Sequence, residues 1–269
     1  MRTVVHLSDL HFGSVNETII GPLIQTINEL KPDVVAVSGD LTQRARSHQF
    51  KEARAFLDAL PRPQIVVPGN HDIPLYNVFL RFAQPVKKYR RDITGDLDPF
   101  YADDQIVIAG VNTARSLTIK GGRINRTQVE WIREKFCAAR SDAIKVVVTH
   151  HPFDLPEGRE RNIVGRAGMA LKELAACGVD LFLAGHLHVS HSGHTKMRYR
   201  LGGRMAIVVQ AGTASSTRSR GEGNSFNVIR LEHSDIRIER MAWQPSITTF
   251  LAAGVDRFQR TSDGWSRRE

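Results

Sequence analysis

Five short polar clusters in the chain could do chemistry: SDLH at 8–11, SGD at 38–40, PGNHD at 68–72, THHP at 149–152 and AGHLH at 184–188. They supply Asp9 and His11, then Asp40, then Asn70, His71 and Asp72, then His150 and His151, then His186 and His188. Carboxylate, amide and imidazole groups are oxygen and nitrogen donors for a metal such as Mn, Fe, Co or Zn, and the missing thiols argue against thiolate centres. Each cluster alone has an ordinary explanation. Asp9-Leu10-His11 could be a strand-end turn, Asp40 a helix cap, and Asn70 a loop residue in the left-handed region. THHP could hold two core histidines, and GHLH two hydrogen-bonded ones. What points to one site is that all five follow an apolar run directly.

Those runs are Thr3–Leu7, Val34–Val37, Ile65–Val67, Lys145–Val148 and Leu181–Ala184. Near-continuous apolar stretches of this length predict strands buried on both faces. Helical periodicity covers Asn16–Leu30, Ser47–Ala59, Thr127–Ala139 and Arg166–Ala176, with Thr127 and Glu130 reading as a capping box. Strands alternating with helices imply βαβ units and a largely parallel layer. A second group, Gln105–Val111, Arg198–Gln210 and Ser225–Glu239, reads as more antiparallel and predicts a second sheet packed on the first, with helices outside. In an open α/β sheet ligands bind beyond the carboxyl ends of the strands, where all five clusters fall. The long irregular stretches Ile73–Asp104 and Phe153–Gly165 are candidates for specificity loops or a lid.

The 269 residues are 41% hydrophobic and 24% charged, ordinary for a globular protein. No run reaches the roughly 18 apolar residues of a spanning helix, so no membrane partner is expected. The start of the chain becomes strand-like at once and has no signal-peptide pattern. Two cysteines, Cys137 and Cys177, are too few for a disulfide framework, so a reduced, cytoplasmic protein is expected. The formal net charge of +9 suits anionic small substrates, nucleic acid or anionic lipid, or serves solubility. No basic patch interleaved with aromatics is visible, so specific nucleic-acid binding is not expected. Residues 1–250 read as one domain and 251–269 as a basic, partly disordered tail.

The ordered set D-x-H, G-D, G-N-H-D, H and G-H-x-H resembles the calcineurin-like metallophosphoesterase superfamily. The segment QAGTASSTRSRGEGNSFNVI, at 210–229, is similar to the C-terminal part of bacterial class III cyclic-nucleotide phosphodiesterase-like members. The resemblance implies an α/β fold, a four-layer α/β/β/α sandwich with two mixed sheets, and two divalent or mixed-valence metal ions between the sheet ends. By position, Asp9, His11, Asp40 and His188 would hold one metal, and Asp40, Asn70, His150 and His186 the other. Asp40 would bridge the two. A hydroxide held by the metals would attack phosphorus in line with the leaving oxygen. Asn70 and His71 would contact the phosphate, His71 would protonate the leaving alkoxide, and Asp72 would orient the His71 ring.

His151 is expected to pack behind the site, because on a strand it faces away from His150. His6 reads as a satisfied core histidine, and His191 and His194 are candidates for the site mouth. Arg44, Arg46, Arg115, Arg218 and Arg220 are candidates for contact with phosphate. The expected substrate is a small anionic phosphodiester: a cyclic nucleotide such as cAMP or 2′,3′-cAMP, or a glycerophosphodiester. Alternatives are a phosphomonoesterase acting on a nucleotide or sugar phosphate, and a catalytically silent binding scaffold. A homodimer using Arg198–Gln210 is a further expectation.

Overall fold

The computed structural model describes residues 1–155, 162–195, 205–218 and 221–268. In chain order the elements are β1 (Arg2–Leu7), α1 (Glu17–Leu30), β2 (Val34–Ser38), α2 (Ser47–Asp58), β3 (Gln64–Val67), a 3-10 turn (Asn70–Asp72), α3 (Val78–Ala83) and α4 (Lys87–Asp92). There follow β4 (Phe100–Ala102), β5 (Ile106–Gly110), α5 (Arg126–Ala138), β6 (Ile144–Val148), α6 (Ala167–Ala175), β7 (Leu181–Ala184) and β8 (His191–His194). The chain closes with β9 (Ile207–Gln210), β10 (Ser225–Glu232), β11 (Asp235–Gln244), β12 (Thr249–Thr261) and β13 (Gly264–Arg268).

Two mixed sheets result, one of seven strands in the order β13-β12-β11-β10-β1-β2-β3 and one of six in the order β4-β5-β6-β7-β9-β8. Within them β1-β2-β3 and β5-β6-β7-β9 run parallel and the remaining neighbours antiparallel. Strand alternation explains the layers. Val5, Leu7, Val35 and Val37 face one way, into a core with Ile19 and Leu23 of α1 and Phe50 and Phe56 of α2. Val4, Val34 and Ala36 face the other way and meet Val146 and Leu183 of the six-stranded sheet. Beyond that sheet, Val107, Val147 and Phe182 pack on Val129 and Ile132 of α5 and Leu171 of α6. Three apolar cores therefore separate four layers, α/β/β/α, as the resemblance implies.

The division of strands between the sheets differs from the sequence reading. The five motif-bearing strands do not share one layer: β1, β2 and β3 belong to one sheet, β6 and β7 to the other. The stretch 225–239 forms a hairpin that extends the β1 sheet, whereas β5 and β9 join β6 and β7. Local apolar runs report burial on both faces, and every strand of a two-sheet sandwich has it. Of the expected strand Arg198–Gln210, residues 198–204 lie outside the described residues.

Three further expectations are corrected. Residues 251–268 are not a disordered tail but most of β12 and all of β13, anchored by the buried Phe258 and Trp265 among their arginines. The Trp265 indole donates to Asp180 at 2.8 Å. Helix α5 is capped by Asn125, not Thr127: Asn125 Oδ1 accepts from Gln128 N at 2.8 Å, and Gln128 Oε1 accepts from Asn125 N at 3.2 Å. Asparagine caps at least as well as threonine, and Gln128 completes the reciprocal pair. Cys137 in α5 and Cys177 beyond α6 are joined in a disulfide, with their Cα atoms 5.0 Å apart, where two reduced thiols were expected. Their separation of 40 residues hides a closeness that only the packing of α5 on α6 creates. Among the described residues no helix is long and apolar enough to cross a membrane.

Candidate metal centre

The strand ends that carry the five clusters converge on the seam between the two sheets. Asp9 and His11 follow β1, Asp40 follows β2, and Asn70, His71 and Asp72 form the 3-10 turn after β3. From the other sheet come His150 after β6 and His186 and His188 after β7. Nine non-glycine residues among those described have positive φ, and five of them are Asp9, His11, Asp40, His186 and His188, at +52° to +75°. Such values are costly for L-residues and persist where the surrounding structure imposes them, commonly at functional sites. The glycines of the motifs have a related cause. A Cβ on Gly69 would run into Asp40, and one on Gly185 into Ser8 and Asp9.

Each carboxylate is held by one oxygen and presents the other. Asp9 Oδ2 accepts from Ser8 Oγ at 2.6 Å and from His186 N at 2.9 Å. Asp9 Oδ1 is buried with no hydrogen-bond partner, 3.2 Å from His188 Nε2 and 3.6 Å from His11 Nε2. Asp40 Oδ1 accepts from His71 N at 2.8 Å. Asp40 Oδ2 lies 3.4 Å from His150 Nε2 and 3.8 Å from His11 Nε2. His150 Nε2 is in turn 3.1 Å from Asn70 Oδ1 and 3.3 Å from His186 Nδ1. The rings are turned by bonds on their far nitrogens: His150 Nδ1 donates to the Ser38 carbonyl and His188 Nδ1 to the Arg218 carbonyl, both at 2.8 Å. Such outer bonds fix which imidazole nitrogen a metal would meet.

These spacings fit a cation-binding cluster. Metal–nitrogen and metal–oxygen bonds of about 2.0–2.2 Å put neighbouring donors roughly 3–3.5 Å apart. Asp9, His11 and His188 form one group of mutually close donor atoms, and Asp9, Asp40 and His150 another. The electrostatics agree. Burial pushes the Asp40 carboxyl up, but His150, His11 and His71 hold it well below the usual range. Asp9 is likewise held low, against burial, by His11, His188 and His150. Burial pulls His150 down, yet Asp40 raises it to about 9. Two buried carboxylates that stay ionised beside an unpartnered oxygen are a suitable seat for positive charge.

Asp72 does not orient His71, contrary to expectation. Its oxygens accept from Gly69 N at 2.9 Å, Leu41 N at 3.1 Å, Thr42 N at 2.8 Å and Thr42 Oγ1 at 2.9 Å. It clasps the β2 and β3 loops together, and burial with the charge of Asp40 raises its pKa to about 6. His71 Nδ1 donates instead to the Gln43 carbonyl at 2.9 Å. Asp72→Ala is expected to lower the unfolding free energy by about 3 kcal/mol, because it strands several buried donors. Urea denaturation measures this, and a loss below about 1 kcal/mol would show that the clasp is dispensable.

The other candidates divide clearly. His151 packs behind the site, with Nδ1 2.9 Å from Thr113 Oγ1 and Nε2 donating to the Lys120 carbonyl at 3.1 Å. His6 is buried in the core with Nε2 2.9 Å from Ser38 Oγ. His191 and His194 lie on edge strand β8 rather than at the mouth of the centre. Arg115 is occupied by the carbonyls of Asn112 and Ala114 and by Gln128. Arg46 is the exposed first cap of α2, and Arg220 lies outside the described residues. Arg218 stands at the site, its Nη1 3.3 Å from His71 Nε2 and 3.3 Å from Gln43 Oε1, and Arg44 lines the adjoining cleft.

A cleft of about 180 Å³ opens beside the cluster. Asn70, His71, Gln43, Arg44, Lys120 and Arg218 give it polar walls, and Ile73, Leu75 and Ile119 apolar ones. Sequence reading missed Gln43 and Lys120. Gln43 sits three residues past Asp40 and could have been found by extending that motif, whereas no spacing connects Lys120 to the centre.

The match to the calcineurin-like phosphoesterase family model covers residues 2–190. The glycerophosphodiester phosphodiesterase GpdQ of Enterobacter lignolyticus is 27% identical over 199 residues, 69% of this chain and 70% of that protein. A probable cyclic nucleotide phosphodiesterase of Synechococcus is 22% identical over 198 residues, 69% of this chain and 73% of that protein. Among solved structures, a purple acid phosphatase from yellow lupin superposes with a TM-score of 0.69 at 12% identity, covering 93% of this chain and 52% of that one. That likeness shows the fold. The chain belongs to the calcineurin-like phosphoesterase family, whose members are metal-dependent hydrolases of phosphoric esters.

Proposed function

We propose that this protein is a dinuclear metal-dependent phosphodiesterase acting on a small diester, either a cyclic nucleotide such as cAMP or 2′,3′-cAMP or a glycerophosphodiester. The carrying observation is the pairing of Asp9 and Asp40, each anchored through one oxygen and turning the other toward the imidazoles of His11, His150 and His188. Asp9, His11, Asp40 and His188 would hold one cation, and Asp40, Asn70, His150 and His186 the other. Bound there, two such ions (Mn, Fe, Co or Zn) supply Lewis acidity to the phosphoryl oxygens and lower the pKa of water. The names of the two sequence relatives support a diester. So does the cleft, whose apolar wall of Ile73, Leu75 and Ile119 leaves room for a second substituent on phosphorus.

The protein's own groups have separable tasks. Asn70 and Arg218 hold the phosphate oxygens, Arg218 through charge-assisted hydrogen bonds. His71, fixed through Nδ1 on Gln43, delivers a proton from Nε2 to the leaving alkoxide. Burial, His11 and Arg218 hold the His71 pKa below its ordinary value against the pull of Asp40, which makes its protonated form a stronger acid. Arg218→Ala is expected to lower kcat/KM for a diester by about 10–100-fold with bound metal unchanged. Steady-state kinetics beside elemental analysis checks this.

The direct test compares hydrolysis of bis(p-nitrophenyl) phosphate and p-nitrophenyl phosphate, with Mn²⁺ and with EDTA. The expected result is a faster, chelator-sensitive rate on the diester. A faster monoester rate would move the assignment to a phosphomonoesterase using the same residues. No hydrolysis of either by metal-loaded protein would overturn it in favour of a silent scaffold.

A further inference from the structure

A ridge of exposed apolar side chains rises beside the cleft. Tyr76, Val78, Phe79 and Phe82, in and just before α3, and Leu117 and Ile119, in the loop after β5, are between 55% and 86% exposed. Arg81 ties the two segments together. It is buried, and its guanidinium donates to the carbonyls of Ser116 at 2.8 Å, Thr118 at 2.6 Å and Pro74 at 3.1 Å. Single exposed apolar residues need no explanation, but six large ones on one clamped ridge mark an interaction surface.

The charge of the same segments indicates what covers it. Residues 73–91 contain five Lys or Arg and no Asp or Glu, of which Arg81 is buried and Arg91 pairs with the adjoining Asp92, and residues 105–129 contain four and no acid. Lys120 is exposed beside Ile119, and the Arg44 guanidinium lies 5.5 Å from the centre of the Tyr76 ring. Aromatic and aliphatic tips set in a cationic field are the chemistry of interfacial binding to anionic lipid.

We propose that this ridge docks on an anionic lipid surface. Ile119 belongs both to the ridge and to the cleft wall, and Leu75 and Lys120 of that wall adjoin the ridge in sequence, so docking would turn the cleft mouth toward the headgroup layer. A second copy of the chain is the poorer occupant, since a two-fold contact would bring two such cationic surfaces together. The expectation of no membrane partner rested on the lack of a spanning apolar run, which interfacial docking does not need. The docking is independent of which phosphoester the site cleaves.

The test is co-sedimentation of the full chain with phosphatidylcholine vesicles and with vesicles containing 30% phosphatidylglycerol. Binding is expected only with the anionic vesicles, weakening as salt is raised. Phe79→Ser with Leu117→Ser should lower partitioning by at least about tenfold. Neither residue lines the cleft, so bis(p-nitrophenyl) phosphate hydrolysis should be unchanged. In a separate variant, Phe79→Trp, tryptophan emission should shift to the blue on adding anionic vesicles. Absence of binding to anionic vesicles, equal binding by the double variant, or no emission shift would each overturn the proposal. Dimerisation by light scattering that the double variant abolishes, without vesicle binding, would reassign the ridge to a second copy.

Discussion

Asp40→Asn is expected to lose both bound metals together and to lower diester hydrolysis by at least about 10⁴-fold. The reasoning rests on how the two oxygens divide their work. Oδ1 accepts from His71 N, and Oδ2 stands between His150 and His11, the contact shared by the two proposed cation groups. Asparagine keeps the acceptor for His71 N and removes the charge that both cations would share. It is also a cleaner change than alanine. Asp40 has φ +53°, a region that asparagine enters more readily than alanine, so the backbone cost is smaller. Metal content by elemental analysis, beside Tm and rate, checks the prediction. A variant that retains two metals per chain would remove Asp40 from the bridging position.

His71→Ala is expected to keep its metal and to lose on the order of 10²–10⁴ in kcat when the leaving group is an alkoxide. The Nδ1 bond to Gln43 aims Nε2 at the cleft, next to Arg218. A proton delivered from Nε2 matters in proportion to the basicity of the departing oxygen. Nitrophenoxide leaves with little help, so the loss on bis(p-nitrophenyl) phosphate should be much smaller than on an alkyl diester. Comparing the two substrates separates proton delivery from a general weakening of phosphate binding, which would lower both rates alike. Equal losses would make His71 a binding residue, and full activity on both would take it out of the reaction.

The candidate site was more legible than the sheets that carry it. Asp9, Asp40, Asn70, His150, His186 and His188 each lie just past the end of an apolar run, a pattern visible within a few residues. The strand end is a local property, so the structure brings together what the spacing grouped. Which strands share a sheet is a property of pairing. Val34–Val37 and Lys145–Val148 look alike in sequence yet lie in different sheets. Asp72 shows a similar limit. Its place beside His71 suggested contact with that ring, but the 3-10 turn swings its carboxylate to the amides of Leu41 and Thr42. Residues 251–269 misled because their four arginines and three acids read as a polar tail, while the anchors are two well-separated aromatics, Phe258 and Trp265.

The seam has a mechanical side. Asp9, Asp40 and Asn70 are carried by one sheet, and His150, His186 and His188 by the other. Any cation gripped from both sides is therefore a rivet through the two halves of the sandwich. Chelation would remove that grip and leave the register of the halves to the protein's own cross-sheet bonds, Trp265 to Asp180 and His150 to the Ser38 carbonyl. Any looseness should concentrate at the strand ends around Asp9 and His188, where five left-handed residues hold their shape only through their neighbours. In this architecture ions held at the seam would also help keep the two faces of the site in register.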